Sequence, residues 1–323
     1  MWSVSKSDLS NDRKPGISGF MRLRNEAMLL NEAFETHIDG VDELVVVYNN
    51  CQDSTPQICE AWQKRYPGKI RVFEYEPEVL PVGSTDAAGI DPRDENSLAN
   101  YYNYALCKTN HEIVIKIDGD HIGSPARFST VCNRVRRTLK VDQRWPIFGI
   151  NVTDTNDGVA VYNFYNYAPK FVGKRIGPPP FTSGDQSFFR LDNKTWHTTD
   201  PVYGYEKMPL SHKKRARAAH DTVLFFHCKG FKDDHGTGSW STSGESSRKD
   251  WIDNVSNISW ENLATLPAMV ERNPSYFAGF PYAKEFSALF PNRRLLDEGY
   301  HPKQAPLLIQ SAKNTLIDFF TST

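Results

Sequence analysis

The sequence predicts an α/β protein with a mostly parallel central sheet flanked by helices, and three observations carry that prediction. Short apolar, β-branched runs alternate with helical patterns through the N-terminal third, the order a parallel sheet requires because each crossover takes a helix. The run His111-Glu-Ile-Val-Ile-Lys-Ile117 reads as a buried strand and ends in two carboxylates, Asp118 and Asp120, around Gly119. Neither a Gly-x-Gly-x-x-Gly loop nor a Gly-Lys-Ser loop is present, which removes the dinucleotide-binding and P-loop classes.

Taken in order, Ile17 to Leu23 is the first strand. Ala27, Leu30, Ala33 and Phe34 then fall at helix spacing, with Asn25 placed to cap that helix. Glu43 to Tyr48 is the second strand, and Asn49 to Pro56 turns into a helix that buries Ile58, Ala61 and Trp62. Pro67-Gly68 stops it. Ile70 to Tyr75 is the third strand, and Glu76 to Glu95, full of prolines, glycines and acids without a period, reads as a mobile loop. Asn96 to Cys107 is helical and leads to the strand that carries the acids.

Acids at the carboxyl end of such a strand face the crevice where ligands bind in open α/β sheets. Two carboxylates so close repel one another unless a cation lies between them, and oxygen ligands suit Mg²⁺ or Mn²⁺, which in turn suit a diphosphate. Asp-Gly-Asp alone also serves as an ordinary turn, so its context decides.

Composition narrows the field. The chain has 323 residues, enough for one large domain or two small ones. With 38 basic against 39 acidic residues it has no surplus for general nucleic-acid binding. Cys51, Cys59, Cys107, Cys132 and Cys228 are dispersed without a Cys-x-x-Cys pair, read as reduced thiols, and favour a cytoplasmic setting. Met1 to Pro15 is polar rather than signal-like, and no segment approaches the length of a membrane span.

Three motifs in order resemble the GT-A glycosyltransferases, and within them the large inverting group called family 2. They are Met21-Arg-Leu-Arg-Asn25-Glu26, Val47-Tyr-Asn-Asn-Cys-Gln-Asp-Ser-Thr55 and Asp118-Gly-Asp120. Where the family carries an acid at the start of the second motif, this chain has Tyr48. The resemblance implies a GT-A (Rossmann-like) domain over 1–235, with a donor half at about 15–125 and an acceptor half at about 126–235. It implies a nucleotide-sugar donor, with Asp53 near the base, Asp118 near the ribose and Asp120 on Mn²⁺ or Mg²⁺ bridging the diphosphate. Glu26 and Asn50 belong to the donor motifs, and Arg22 or Arg24 is either a phosphate contact or a solvated charge at a helix start. The implied acceptor is a glycan or lipid-linked glycan, as in polysaccharide or lipopolysaccharide biosynthesis.

The second half supplies the remaining candidates. A basic helix follows Pro125 with Arg127, Arg134, Arg136, Arg137 and Lys140 on a solvated face. Pro146 to Val152 reads as one strand and Asn156-Asp157-Gly158 as the turn of an aromatic-rich hairpin reaching Tyr167, which suits a sugar wall or an ordinary sheet face equally. Gly177 to Leu191 places Asp185 at a turn similar to the family's general-base motif, with Glu206 as the alternative base. The basic cluster 213–220 reads either as a solvated helix face or as a contact with acceptor phosphate or the inner face of a membrane. Thr222 to Phe226 is a strand delivering His227, a metal ligand by the family's late-histidine pattern, followed by Lys229 or Lys232 for the diphosphate. The polar, Gly-rich 233–248 is a linker or a lid, and Trp251 to Thr323 forms the helical C-terminal extension, with helix-like pieces at Leu263 to Val270, Tyr282 to Leu289 and Pro306 to Phe320. A sugar-phosphate nucleotidyltransferase and a non-catalytic glycan-binding module of the same fold are the competing readings.

Overall fold

The computed structural model describes residues 2–9, 12–123, 125–141, 143–147, 149–155, 158–162, 186–192, 195–202, 204–208, 214–215, 224–228 and 264–265. The chain opens with β1 (Lys14–Leu23), α1 (Leu30–His37), β2 (Glu43–Tyr48), α2 (Thr55–Arg65), β3 (Ile70–Glu74), α3 (Leu98–Cys107) and β4 (His111–Ile117). β1 pairs in parallel with both β2 and β4, and β3 continues in parallel from β2. The resulting order β3-β2-β1-β4 winds outward from β1 and then resumes on its other side, so a topological switch point lies between β1 and β4. Their carboxyl ends open the crevice that the sequence predicts.

Both faces of these strands are covered, which is why they read as nearly continuous apolar runs. Met21, Leu23, Leu44, Val46, Ile113, Ile115 and Ile117 pack with Leu30, Phe34, Trp62 and Phe128 on one side. On the other, Phe20, Val45, Val47 and Val114 meet Tyr101, Tyr102 and Ala105 of α3. The period-two alternation of strand side chains divides the residues in this way.

After β4 come β5 (His121–Gly123), α4 (Pro125–Thr138), β6 (Gln143–Pro146), β7 (Gly149–Thr155), β8 (Gly158–Tyr162), β9 (Ser187–Arg190), β10 (Thr198–Thr199), β11 (Glu206–Lys207), β12 (Lys214–Arg215), β13 (Phe225–Cys228) and β14 (Ala264–Thr265). β9 runs antiparallel between β4 and β6, and β12 lies parallel on β6. A second sheet has the order β14-β8-β7-β13-β5, with β10 and β11 forming a separate ribbon. Among the described residues no helix is long and apolar enough to cross a membrane, and Cys51, Cys59, Cys107 and Cys132 are free.

Several elements differ from the sequence expectation. α1 begins at Leu30, and Asn25 does not cap it. Asn25 instead sits in the left-handed region (φ 51°) and accepts the Gln52 amide at 2.7 Å. Thr55 Oγ1 takes the Glu26 amide and Asp53 the Ala27 amide, so the 52–55 turn satisfies donors that would otherwise start a helix. In α2 the face made by Thr55, Ile58, Cys59 and Trp62 is buried, leaving Ala61 at its exposed edge. α3 starts at Leu98, because Ser97 caps it through the Asn100 amide. The 76–95 stretch has no regular element, and it is pinned by Tyr75 donating to the Glu95 carbonyl and Asn96 to the Glu78 carbonyl.

Pro146 to Val152 is divided between two sheets, Pro146 ending β6 in the first and Gly149 opening β7 in the second. The predicted hairpin is present as β7-β8, with Thr155 opposite Gly158; the aromatic positions from 163 to 167 lie outside the described residues. Lys214–Arg215 is an edge strand rather than part of a helix, and the rest of 213–220 lies outside the described residues. Within the piece expected to be helical around Leu263 to Val270, Ala264–Thr265 pairs antiparallel with β8. The other expected C-terminal helices and the 233–248 segment also lie outside the described residues.

Candidate active site

Strand alternation places Lys116 and Asp118 with Val114 on the α3 side of the sheet. Lys116 Nζ lies 3.3 Å from Asp118 Oδ2, and Gln186 Nε2 donates to the same oxygen at 3.3 Å. Burial alone would raise the Asp118 pKa, but Lys116 foremost, then His121 and His227, hold it below the usual carboxylate range against the opposing charge of Asp120. Asp118 is therefore a carboxylate at neutral pH.

At Gly119 the chain turns back, and the His121 amide bonds the Asp118 carbonyl. A Cβ at Gly119 would lie 3.0 Å from Leu23 Cδ2 and 3.1 Å from Glu26 Cβ, so the Asp-Gly-Asp turn is seated directly against the end of β1. The first and third motifs thus meet here.

β5 then pairs antiparallel with β13 in a register that puts His121 opposite His227. Their rings lie 4.4 Å apart between centroids, and His121 also stacks on Phe225 at 4.3 Å. Asp120 Oδ2 is 3.4 Å from His227 Nε2, and Asp120 Oδ1 is 4.0 Å from His121 Nε2. One ligand atom from each of Asp120, His121 and His227 falls within 4.8 Å of the others. Carboxylate oxygen and imidazole nitrogen bind divalent metals at roughly 2.0–2.2 Å, so a cation fits among three atoms so spaced. Burial, with His227 adding, pushes the His121 imidazole down to about 3, which leaves it in the neutral form that a metal requires.

A third group comes from α3. Asn103 donates to the His197 carbonyl at 3.0 Å and accepts its amide at 2.9 Å, which anchors the β10–β11 ribbon. Thr199 pairs with Glu206 in that ribbon, and Glu206 Oε1 stands 3.8 Å from Lys116 Nζ. Lys116 therefore links Asp118 to Glu206. Arg22 packs over the Tyr102 ring, its Cζ 3.4 Å from the centroid.

The structure unites Asp118, Asp120 and His227 from the expected set, and brings Glu26 and Arg22 to the same end of the sheet. Arg24 is half-buried just beyond β1. Asp53 has one carboxylate oxygen on the Ala27 amide and the other on the Thr55 amide, so its visible task is to join the first two motifs. Asn50 lies exposed at φ 46° in the same turn. Asp185, Lys229 and Lys232 lie outside the described residues. His121, Lys116 and Gln186 were not anticipated. For His121 the signal was present, a histidine directly after the second acid; for the other two there was none.

A parallel sheet carries an acid pair at its switch point, and a late histidine from a second sheet completes the group. Residues 5–137 match the family model described as CgtA, β-1,4-N-acetylgalactosaminyltransferase. That match is less than half of the chain, and it takes in β1 through nearly all of α4 with both acids. No curated protein matches the chain. Similar solved structures include glucosyl-3-phosphoglycerate synthase from Mycobacterium tuberculosis in complex with UDP, at 17% identity and TM-score 0.31 over 45% of this chain and 47% of that one. The same enzyme with Mn²⁺, UDP-glucose and phosphoglyceric acid gives 19% identity and TM-score 0.30 over 47% and 48%. A further mycobacterial protein gives 16% and 0.31 over 45% and 44%. The chain spans about half the length of these structures.

Proposed function

We propose that the protein is a metal-dependent glycosyltransferase that moves a sugar from a nucleoside-diphosphate-sugar to a hydroxyl of a glycan or glycolipid, with inversion at the anomeric carbon. The observation that carries this reading is the placement of Asp118 beside the Asp120–His121–His227 group at the switch point of the sheet, with Asp118, Asp120 and His121 inside the segment that matches the transferase family. Asp120 and His227 hold Mn²⁺ or Mg²⁺, whose chemical contribution is to neutralise the charge that develops on the departing diphosphate. Asp118, kept ionised by Lys116, accepts from the ribose hydroxyls of the donor. Arg22, Arg24 and Lys229 meet phosphate, and Glu26, Asn50 and Asp53 shape the nucleotide end of the crevice.

Asp185 takes the proton of the attacking hydroxyl. Support comes from the sequence, in which Asp185 follows Ser183-Gly184 shortly before an apolar run, similar to the family's general-base motif. A second reading gives that task to Glu206, on the strength of its 3.8 Å approach to Lys116.

The test is turnover: a panel of nucleotide-sugars with glycan and glycolipid acceptors, with Mn²⁺ or EDTA, measuring nucleoside diphosphate release. Metal-dependent release that needs an acceptor supports the transferase, and proton NMR of the product reads the anomeric configuration. Transfer of a nucleotidyl group to a sugar phosphate would instead establish the nucleotidyltransferase, and binding with no release the glycan-binding module.

A further inference from the structure

We propose that Tyr102 is a positioning residue for the donor's diphosphate, its ring holding the Arg22 guanidinium flat so that the edge of that group meets a phosphate. This inference rests on the reading of Arg22 as a phosphate contact.

Arg22 stands one residue before the carboxyl end of β1, and strand alternation puts it with Phe20 on the face turned to α3. Its Cζ lies 3.4 Å from the centroid of the Tyr102 ring and 5.1 Å from that of Tyr101. At 3.4 Å a nitrogen turned toward the ring would enter it, so the guanidinium lies flat and its N–H donors point sideways, in its own plane. Among the described residues these donors have no acceptor: the buried Nε makes no hydrogen bond, and no carboxylate pairs with the group. A guanidinium stays charged at any working pH, so a cation this shielded calls for an anion. The N–H groups along one of its edges match two oxygens of a phosphate.

Tyr102 cannot follow Arg22 if the guanidinium moves, because the helix around it is pinned. The Tyr101 hydroxyl donates to the Val47 carbonyl at 2.8 Å, Asn100 Nδ2 to the Tyr75 hydroxyl at 2.7 Å, and Asn103 holds both the amide and the carbonyl of His197. Tyr102 itself is 1% exposed and packs on His197, 4.8 Å between ring centroids. Lys116 Nζ lies 5.3 Å from the same Tyr102 centroid while it pairs with Asp118. The ring therefore seats two cations where Asp118 stands, and the one not engaged with a carboxylate among the described residues is Arg22. Asp118 and Glu206 are near enough to attract the Arg22 guanidinium. Stacking on Tyr102 keeps it from swinging to them and leaves its edge for the substrate.

The experiment uses the full chain. UDP, GDP, CDP, ADP and dTDP are titrated calorimetrically in Mn²⁺, and the tightest binder is carried to the variants. Arg22→Ala is expected to weaken it about 10–100-fold. Tyr102→Leu is expected to weaken it about 10-fold, and Tyr102→Phe, which keeps the ring, less than about 3-fold. The double variant Arg22→Ala/Tyr102→Leu is expected to bind no more weakly than Arg22→Ala alone, because the ring acts through the guanidinium. Mn²⁺ binding without nucleotide and urea unfolding control for the cation group and the fold. If Tyr102→Leu does not fold, Tyr102→Met removes the ring and keeps an apolar side chain. Wild-type affinity in Tyr102→Leu, an equal loss in Tyr102→Phe, or losses that add in the double variant overturn the inference, and the phosphate reading of Arg22 stands. Wild-type affinity in Arg22→Ala overturns that reading and the inference together, as does a wild-type chain that binds none of these nucleotides.

Discussion

Asp118 and Asp120 stand two residues apart, and their neighbours differ. Asp118 faces Lys116, an amide and the His121 ring, while Asp120 faces the rings of both His227 and His121. Asp120→Ala is therefore expected to abolish Mn²⁺ binding, whereas Asp118→Asn keeps the ion and loses nucleoside diphosphate affinity; titration of each ligand separately checks the division. For the base, Asp185→Asn is expected to leave donor affinity within a few-fold while kcat falls by about 10²–10⁴. If Glu206→Gln shows that pattern and Asp185→Asn does not, the base is Glu206. At this scale the acids and His227 were legible because each stands at or just beyond the end of an apolar run that reads as a strand. Lys116 and Gln186 were not, since each meets residues far along the chain: Gln186 meets Asp118, and Lys116 meets Glu206.

Among the elements, the second sheet completes the site by bringing β13 against β5. That approach is close enough that a Cβ on Gly123 would lie 2.2 Å from the Leu224 carbonyl oxygen, a distance that backbone cannot absorb. Gly123→Ala is thus expected to displace β13, move His227 from Asp120 and weaken Mn²⁺ binding at least as much as His227→Ala does. Unchanged affinity in that variant would show that β13 does not depend on the contact. The β1–β4 region was legible because strands covered on both faces leave long apolar runs between helical periods. The start of α1 was hidden, for the amides of Glu26 and Ala27 just before it are claimed by a turn 29 and 26 residues later. Likewise an apolar stretch such as Pro146 to Val152 records burial but not the sheet to which each half belongs.

The whole molecule carries an acid sensitivity that its near-neutral charge does not reveal. His37 donates to the Ala33 carbonyl at 2.7 Å, and burial pushes its pKa down to about 4. His197, buried and facing Lys116 and Arg22, is pushed down to about 3. Unfolded histidine titrates near 6.5, so between these values the unfolded chain binds more protons than the folded one. Stability is then full above about pH 6.5 and falls as pH drops toward 4, by on the order of 2 kcal/mol per histidine at pH 5. Urea unfolding at pH 7.5 and pH 5 in EDTA measures this loss, and equal stability at both would refute the buried neutral state of the two rings.

The central claim, that the acids at the switch point bind a nucleoside diphosphate through a divalent cation, is tested most directly by thermal unfolding with a panel of nucleoside diphosphates, each with Mn²⁺ and with EDTA. A ligand at a hundred times its Kd stabilises the native state by about 2.7 kcal/mol, a rise of several degrees. The account predicts such a rise for one base in Mn²⁺, its loss in EDTA and its absence in Asp120→Ala. An equal rise in EDTA, or none with any nucleotide, would contradict it.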